Sequence, residues 1–109
     1  MARISTHVID ISTGQPASAI SVVLSDGESQ TLGRGRTDAE GRVNDFFQGQ
    51  DLQAGEYTLT FETQAYFAAQ GVAIFYPSIV VHFHVANASD NCHLPLLLSP
   101  YGYSTYRGR

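Results

Sequence analysis

Short runs of alternating apolar and polar residues, separated by clusters of turn formers, recur along this chain at roughly 8–12-residue intervals. Tyr57 to Phe61 gives the cleanest case: Tyr57, Leu59 and Phe61 alternate with Thr58, Thr60 and Glu62. Period 2 places successive side chains on opposite faces of a strand, and one apolar face marks a half-buried antiparallel sheet. In residues 3–9, Ile4, Thr6 and Val8 share one face, and Arg3, Ser5, His7 and Ile9 share the other. In residues 79–85, Ile79, Val81, Phe83 and Val85 read inward, with Val80, His82 and His84 outward. Weaker β-prone runs cover residues 19–25, 31–37, 42–47, 93–98 and 103–106. Turn chemistry separates them, at residues 10–17, Asp26-Gly27, Asp38-Ala39-Glu40-Gly41 and Ser99-Pro100-Tyr101-Gly102. In the last of these, Pro100 fixes φ and Gly102 is free to take φ > 0. Residues 63–70 break the pattern. There, Ala65 to Ala69 suit a short helix, with Thr63 as N-cap and Gly71 past the end. The expected fold is all-β, a two-sheet β-sandwich of about eight strands with one short helix.

At 109 residues, this reads as one domain over residues 1–109, long enough for a modest core. A net charge of −4, with six arginines and no lysine, argues against a nucleic-acid-binding surface. No apolar run approaches the ~20 residues needed to span a bilayer. The opening Met-Ala-Arg-Ile-Ser-Thr lacks the apolar stretch of a secretory signal. One cysteine, Cys92, excludes an internal disulfide. The expectation is a cytoplasmic protein with no membrane contact.

The polar groups on otherwise apolar strands are the candidates for chemistry. His93 heads a strand whose Leu94, Leu96 and Leu98 share the opposite face, and His7 lies on the less apolar face of the first strand. Arg42 opens a short strand, and Arg107 sits near the chain end. A neutral imidazole, with an unperturbed pKa of ~6.5, can take a proton from water. A guanidinium can hold a carbonyl edge and stabilise an oxyanion. Together these suit water attack on a planar acyl substrate without a metal, cofactor or covalent nucleophile. Each of these residues, taken singly, is more often a surface or satisfied polar group than a catalytic one. Spacing does not bring His7, Arg42 and His93 together. His82 and His84 share a strand face, as metal ligands do, but no third ligand is evident, so the pair reads as an exposed polar face. Cys92 and His93 point to opposite sides of their strand. Cys92 is therefore expected to pack near the leucines and to be inert.

The stretch from His93 to Gly108, His-Leu-Pro-Leu-Leu-Leu-Ser-Pro-Tyr-Gly-Tyr-Ser-Thr-Tyr-Arg-Gly, closely resembles the C-terminal signature of the transthyretin-like family, in its 5-hydroxyisourate hydrolase branch. Two further stretches are similar to family motifs: His7-Val8-Ile9-Asp10 with Gly14-Gln15-Pro16-Ala17, and Thr37-Asp38-Ala39-Glu40-Gly41-Arg42. The resemblance implies a transthyretin-like sandwich. It also implies hydrolysis of 5-hydroxyisourate to 2-oxo-4-hydroxy-4-carboxy-5-ureidoimidazoline in urate degradation. By position it carries over His7, Arg42 and His93 as catalytic residues, with Tyr106 and Arg107 joining them in substrate binding. It further implies a homotetramer, a dimer of dimers, with sites in a channel at the dimer–dimer interface. The family's usual terminal Ser is replaced here by Arg109. The rival expectation is a non-catalytic carrier of a small hydrophobic ligand. The carrier branch lacks the His/Arg/His set and the Tyr-Arg-Gly tail that this chain keeps.

Overall fold

The computed structural model describes residues 3–46 and 52–108. Nine strands and one helix follow in chain order. They are β1 (Arg3–Asp10), β2 (Gln15–Pro16), β3 (Ser21–Asp26), β4 (Thr31–Arg36), β5 (Arg42–Val43), β6 (Gly55–Glu62), α1 (Gln64–Ala68), β7 (Ile79–Val85), β8 (Asn91–Ser99) and β9 (Gly102–Thr105). One sheet runs β2-β1-β8-β9, with β5 also paired to β1; the other runs β4-β3-β6-β7. The central pair of the first sheet, β1 with β8, is parallel, while every other pairing is antiparallel.

The two sheets face each other because each has one apolar side to hide from water. Ile4 and Val8 of β1, with Leu94, Leu96 and Leu98 of β8, meet Val22, Leu24, Leu59, Phe61, Ile79 and Val85 from the opposite sheet in one buried cluster. Thr6 also points inward. Its hydroxyl is fully buried but satisfied, donating to the Leu94 carbonyl oxygen at 2.6 Å. The alternation on β1, β6 and β7 therefore appears as burial, and the β7 boundaries coincide with the sequence expectation.

Four details differ. The run expected over residues 42–47 is a strand only at Arg42–Val43. Phe46 turns its side chain into the core, with its N–H on the Ile4 carbonyl at 3.2 Å, and Phe47 lies outside the described residues. A two-residue strand, β2, forms within the expected turn. Thr63 precedes α1, but its side chain makes no capping bond, and its buried hydroxyl has no partner among the described residues. Gly102 opens β9 without taking positive φ, whereas Gly71 does take it, at +68°. Gly71 closes α1 as expected: the Gly71 and Val72 N–H groups bond to the Ala68 and Phe67 carbonyls, a Schellman arrangement.

Asp10, fully buried at the end of β1, ties the first turn to the helix. One carboxylate oxygen accepts the Ser12 N–H at 3.0 Å and the Ser12 hydroxyl; the other accepts the Tyr66 hydroxyl at 2.8 Å. Burial pushes this carboxyl up, but the hydrogen bonds outweigh it and hold the group below its ordinary 3.8. A depressed folded-state pKa contributes stability that is present above the unfolded value and lost as pH falls through the folded one. Asp10→Asn is expected to cost about 2 kcal/mol at pH 7, the worth of hydrogen bonds to a charged group. The gap to the parent should close as pH drops below 3.8 in urea titrations, and a pH-independent gap would contradict this account.

Candidate active site

The outer face of the first sheet collects the residues that the inner face excludes. Arg3, Ser5 and His7 leave β1 on this side, and Asn91, His93 and Pro95 leave β8. Register sets the neighbours. Ser5 lies opposite His93, His7 lies between Pro95 on one flank and Arg42 on the other, and Arg3 lies opposite Asn91. The parallel β1–β8 pairing thus brings together residues more than eighty positions apart.

Arg42 is delivered by a tightly specified turn. The Asp38 carboxylate accepts the Glu40 N–H at 2.9 Å and the Arg42 N–H at 3.0 Å, and the Gly41 N–H reaches the Asp38 carbonyl at 2.9 Å. The Arg42 backbone bond, with smaller help from the Glu40 N–H, the Arg42 guanidinium and His7, outweighs the opposing effect of desolvation and holds the Asp38 carboxyl below its ordinary value. Thr37, just before the turn, is buried; its hydroxyl donates to the Ala17 carbonyl at 2.8 Å and accepts the Ile20 N–H at 2.9 Å. Most of the Thr-Asp-Ala-Glu-Gly-Arg motif is therefore scaffold that aims one guanidinium.

A cavity of about 360 Å³ opens on this face, lined by Arg3, Ser5, Arg42, Asn44, Asn91 and His93. Two guanidiniums and two carboxamides around an imidazole offer the donors and acceptors that a cyclic imide or ureide needs. Burial, then the Arg42 guanidinium and a smaller electrostatic effect of His7, lower the His93 pKa below its ordinary 6.5, so the ring is neutral at pH 7 and available as a base. The Ser5 hydroxyl oxygen lies 2.8 Å from His93 Nδ1.

Of the sequence candidates, Arg42 and His93 line this cavity, and His7 lies beside it as the register partner of Arg42. Tyr106 and Arg107 lie on a neighbouring, more apolar cavity of about 240 Å³, with Val81, Phe83, His84, Cys92, Leu94 and Thr105. The tail still reaches the first site, because Gly108 donates its N–H to the His93 carbonyl at 2.7 Å. Arg109 lies outside the described residues. Arg3, Ser5, Asn44 and Asn91 were not singled out by sequence. Of these, Arg3 and Ser5 carried a signal, sharing a strand face with His7.

Cys92 packs on the leucine side, as expected, and burial raises its thiol above its ordinary 9.0, with a small opposing effect from Arg107. His82 is exposed and pairs with Glu56 at 2.8 Å. An exposed pair of this kind contributes little to stability. Among the described residues no group of three metal-binding side chains forms, and no helix is long and apolar enough to cross a membrane.

A profile of the HIUase/Transthyretin family matches residues 4–108. A 5-hydroxyisourate hydrolase of Caulobacter vibrioides is 43% identical over 115 residues, covering 99% of this chain and 99% of that protein. One from Salmonella typhimurium is 40% identical over 108 residues, covering 96% of this chain and 79% of that protein. Among solved structures, 5-hydroxyisourate hydrolase of Klebsiella pneumoniae superposes with a TM-score of 0.91 at 43% identity over 100% of both chains. Sea bream transthyretin in complex with thyroxine superposes with a TM-score of 0.89 at 28% identity, covering 98% of this chain and 95% of that one.

Proposed function

The chain belongs to the HIUase/transthyretin family, and from that premise we propose that it is a 5-hydroxyisourate hydrolase of urate degradation. The observation that carries the reading is the shared cavity of Arg42 and His93, with His7 between Arg42 and Pro95 in register. The polar lining favours ring-opening chemistry over the carrier reading, since a hydrophobic ligand would leave two guanidiniums and two carboxamides unpaired.

In the proposed reaction, a water held beside His93 and His7 loses a proton to an imidazole as its oxygen attacks a six-membered-ring carbonyl. Arg42 stabilises the developing oxyanion, with Arg3, Asn44 and Asn91 of the same cavity holding the substrate. The carbon–nitrogen ring bond then breaks, and the imidazole returns its proton to the departing nitrogen. The product is 2-oxo-4-hydroxy-4-carboxy-5-ureidoimidazoline, with a new carboxylate and a free ureido arm. This sequence balances with water alone. In ¹⁸O-water, one label should enter the new carboxylate; an unlabelled carboxylate would contradict direct water attack.

The pH profile is a second test. The base form of His93 persists down to its folded pKa, which lies below 6.5. The acid limb of kcat/KM is therefore expected below 6.5, whereas a limb at or above that value would count against His93 as the base.

The proposed assembly is a homotetramer of cytoplasmic subunits with the sites in a channel between dimers. Two features support it. Strands β7 and β9 are both sheet edges among the described residues, and unpaired edges invite pairing with another copy. Ile11, Phe75, Tyr101, Tyr103 and Tyr106 are exposed, more apolar surface than a monomer usually leaves open. Sedimentation should give four times the chain mass, and a monomer at micromolar concentration would contradict the assembly.

A further inference from the structure

We propose that Ser5 is the positioning residue for His93: its hydroxyl oxygen accepts the ring's Nδ1–H, so that Nε2 presents its lone pair to water in the cavity. The inference rests on the hydrolase reading of this site and names a group that the reading itself does not use.

The contact is built into the sheet. Ser5 and His93 are Cα partners across the parallel β1–β8 pairing, and both project from the outer face, so their side chains meet without any loop to place them. The separation of Ser5 Oγ from His93 Nδ1 is 2.8 Å. Its neighbour Thr6 spends its own hydroxyl on a backbone carbonyl inside the core, which is what a purely structural hydroxyl does. Ser5 instead faces the cavity and bonds an imidazole.

The rest of the ring is held as well. A Cβ at position 108 would stand 2.8 Å from His93 Cδ2 and 3.0 Å from the Pro95 ring, so only glycine lets the tail lie this close. The tail thus packs on the Cδ2 edge while Ser5 takes Nδ1. Among the described residues, His93 Nε2 has no hydrogen bond, and it is the nitrogen left for chemistry.

Which nitrogen carries the proton is set by the hydrogen bond that the other makes. With Nδ1–H donated to Ser5, Nε2 is bare and takes a proton from water. The resulting imidazolium keeps Nδ1–H on Ser5 and holds the captured proton on Nε2, ready for the departing ring nitrogen. The charged and titratable groups around this ring are His7 and Arg3 from β1 and Arg42 from β5. Among the described residues no carboxylate takes the place of Ser5 at His93 Nδ1.

The test compares the full chain with Ser5→Ala and Ser5→Thr. Ser5→Ala should lower kcat about tenfold with KM within about twofold, the signature of one lost orienting hydrogen bond. Ser5→Thr, which keeps a hydroxyl on a β-branched residue suited to a strand, should recover most of the loss. Side-chain ¹⁵N spectra of His93 supply a readout that a structural role would not move. Nδ1 should be the protonated nitrogen in the parent and in Ser5→Thr, and Nε2 should dominate in Ser5→Ala. Parent-like rates in Ser5→Ala, or an Nδ1 already bare in the parent, would overturn the assignment. A folded parent with no hydrolase activity would instead overturn the functional reading, and the spectra would still decide the Ser5 contact.

Discussion

Replacing His93 with alanine is expected to lower kcat by about 10²–10⁴-fold while leaving the sandwich folded. The separation of the two effects follows from where the ring lies. His93 projects from the outer face of β8 and is only half-buried, whereas the core contacts of that strand are made by Leu94, Leu96 and Leu98. The backbone bonds of β8 survive the change, including the Gly108 N–H on the residue-93 carbonyl. What is lost is the neutral imidazole beside Arg42, and with it the proton acceptor for water. A small change in melting temperature with a rate loss of at least a hundredfold is the expected pair of results. A loss under about tenfold would mean that proton transfer does not pass through this residue, and His7 would become the leading base.

Gly41→Ala is expected to be the most damaging single methyl group on the site's scaffold. Gly41 sits at φ +77°, where an L-residue pays about 1–2 kcal/mol. Its new Cβ would also stand 2.4 Å from the Val8 carbonyl oxygen and 3.2 Å from the Ala17 nitrogen, both backbone atoms that cannot swing aside. The turn must then move off β1, breaking the bond from the Val8 N–H to the Gly41 carbonyl at 2.8 Å. A stability loss of about 3 kcal/mol or more follows from strain and lost bond together. Because Arg42 is the next residue, kcat/KM should fall too, even at temperatures where the variant is folded. Urea unfolding and steady-state rates on one preparation check both. Stability within about 0.5 kcal/mol of the parent would show that the turn has slack the geometry denies it.

The outline of the fold was legible because period 2 and one-sided burial coincide. Tyr57, Leu59 and Phe61 are buried as their alternation demands, and Ile79–Val85 is a strand from end to end. Where local pattern and tertiary packing compete, packing wins. Phe46 reads as part of a strand, yet its ring fills the core and ends the pairing after Val43. Thr63 reads as a helix cap, yet its side chain is buried with no capping bond.

The site was legible only in part. His7, Arg42 and His93 stood out as polar groups on strands, but what joins them is the antiparallel pairing of β5 with β1 and the parallel pairing of β8 with β1, which no local pattern encodes. The family resemblance supplied that link. Ser5, Asn44 and Asn91 line the cavity as small polar side chains that read as ordinary surface residues. Tyr106 and Arg107 belong to the same C-terminal motif as His93, yet they lie along the adjacent apolar cavity.

The most direct test of the central claim is the decay of freshly generated 5-hydroxyisourate, followed by ultraviolet absorbance with and without the purified protein. The account predicts decay far above the spontaneous rate, proportional to protein concentration. Decay at the spontaneous rate, from a protein shown to be folded and tetrameric, would contradict it.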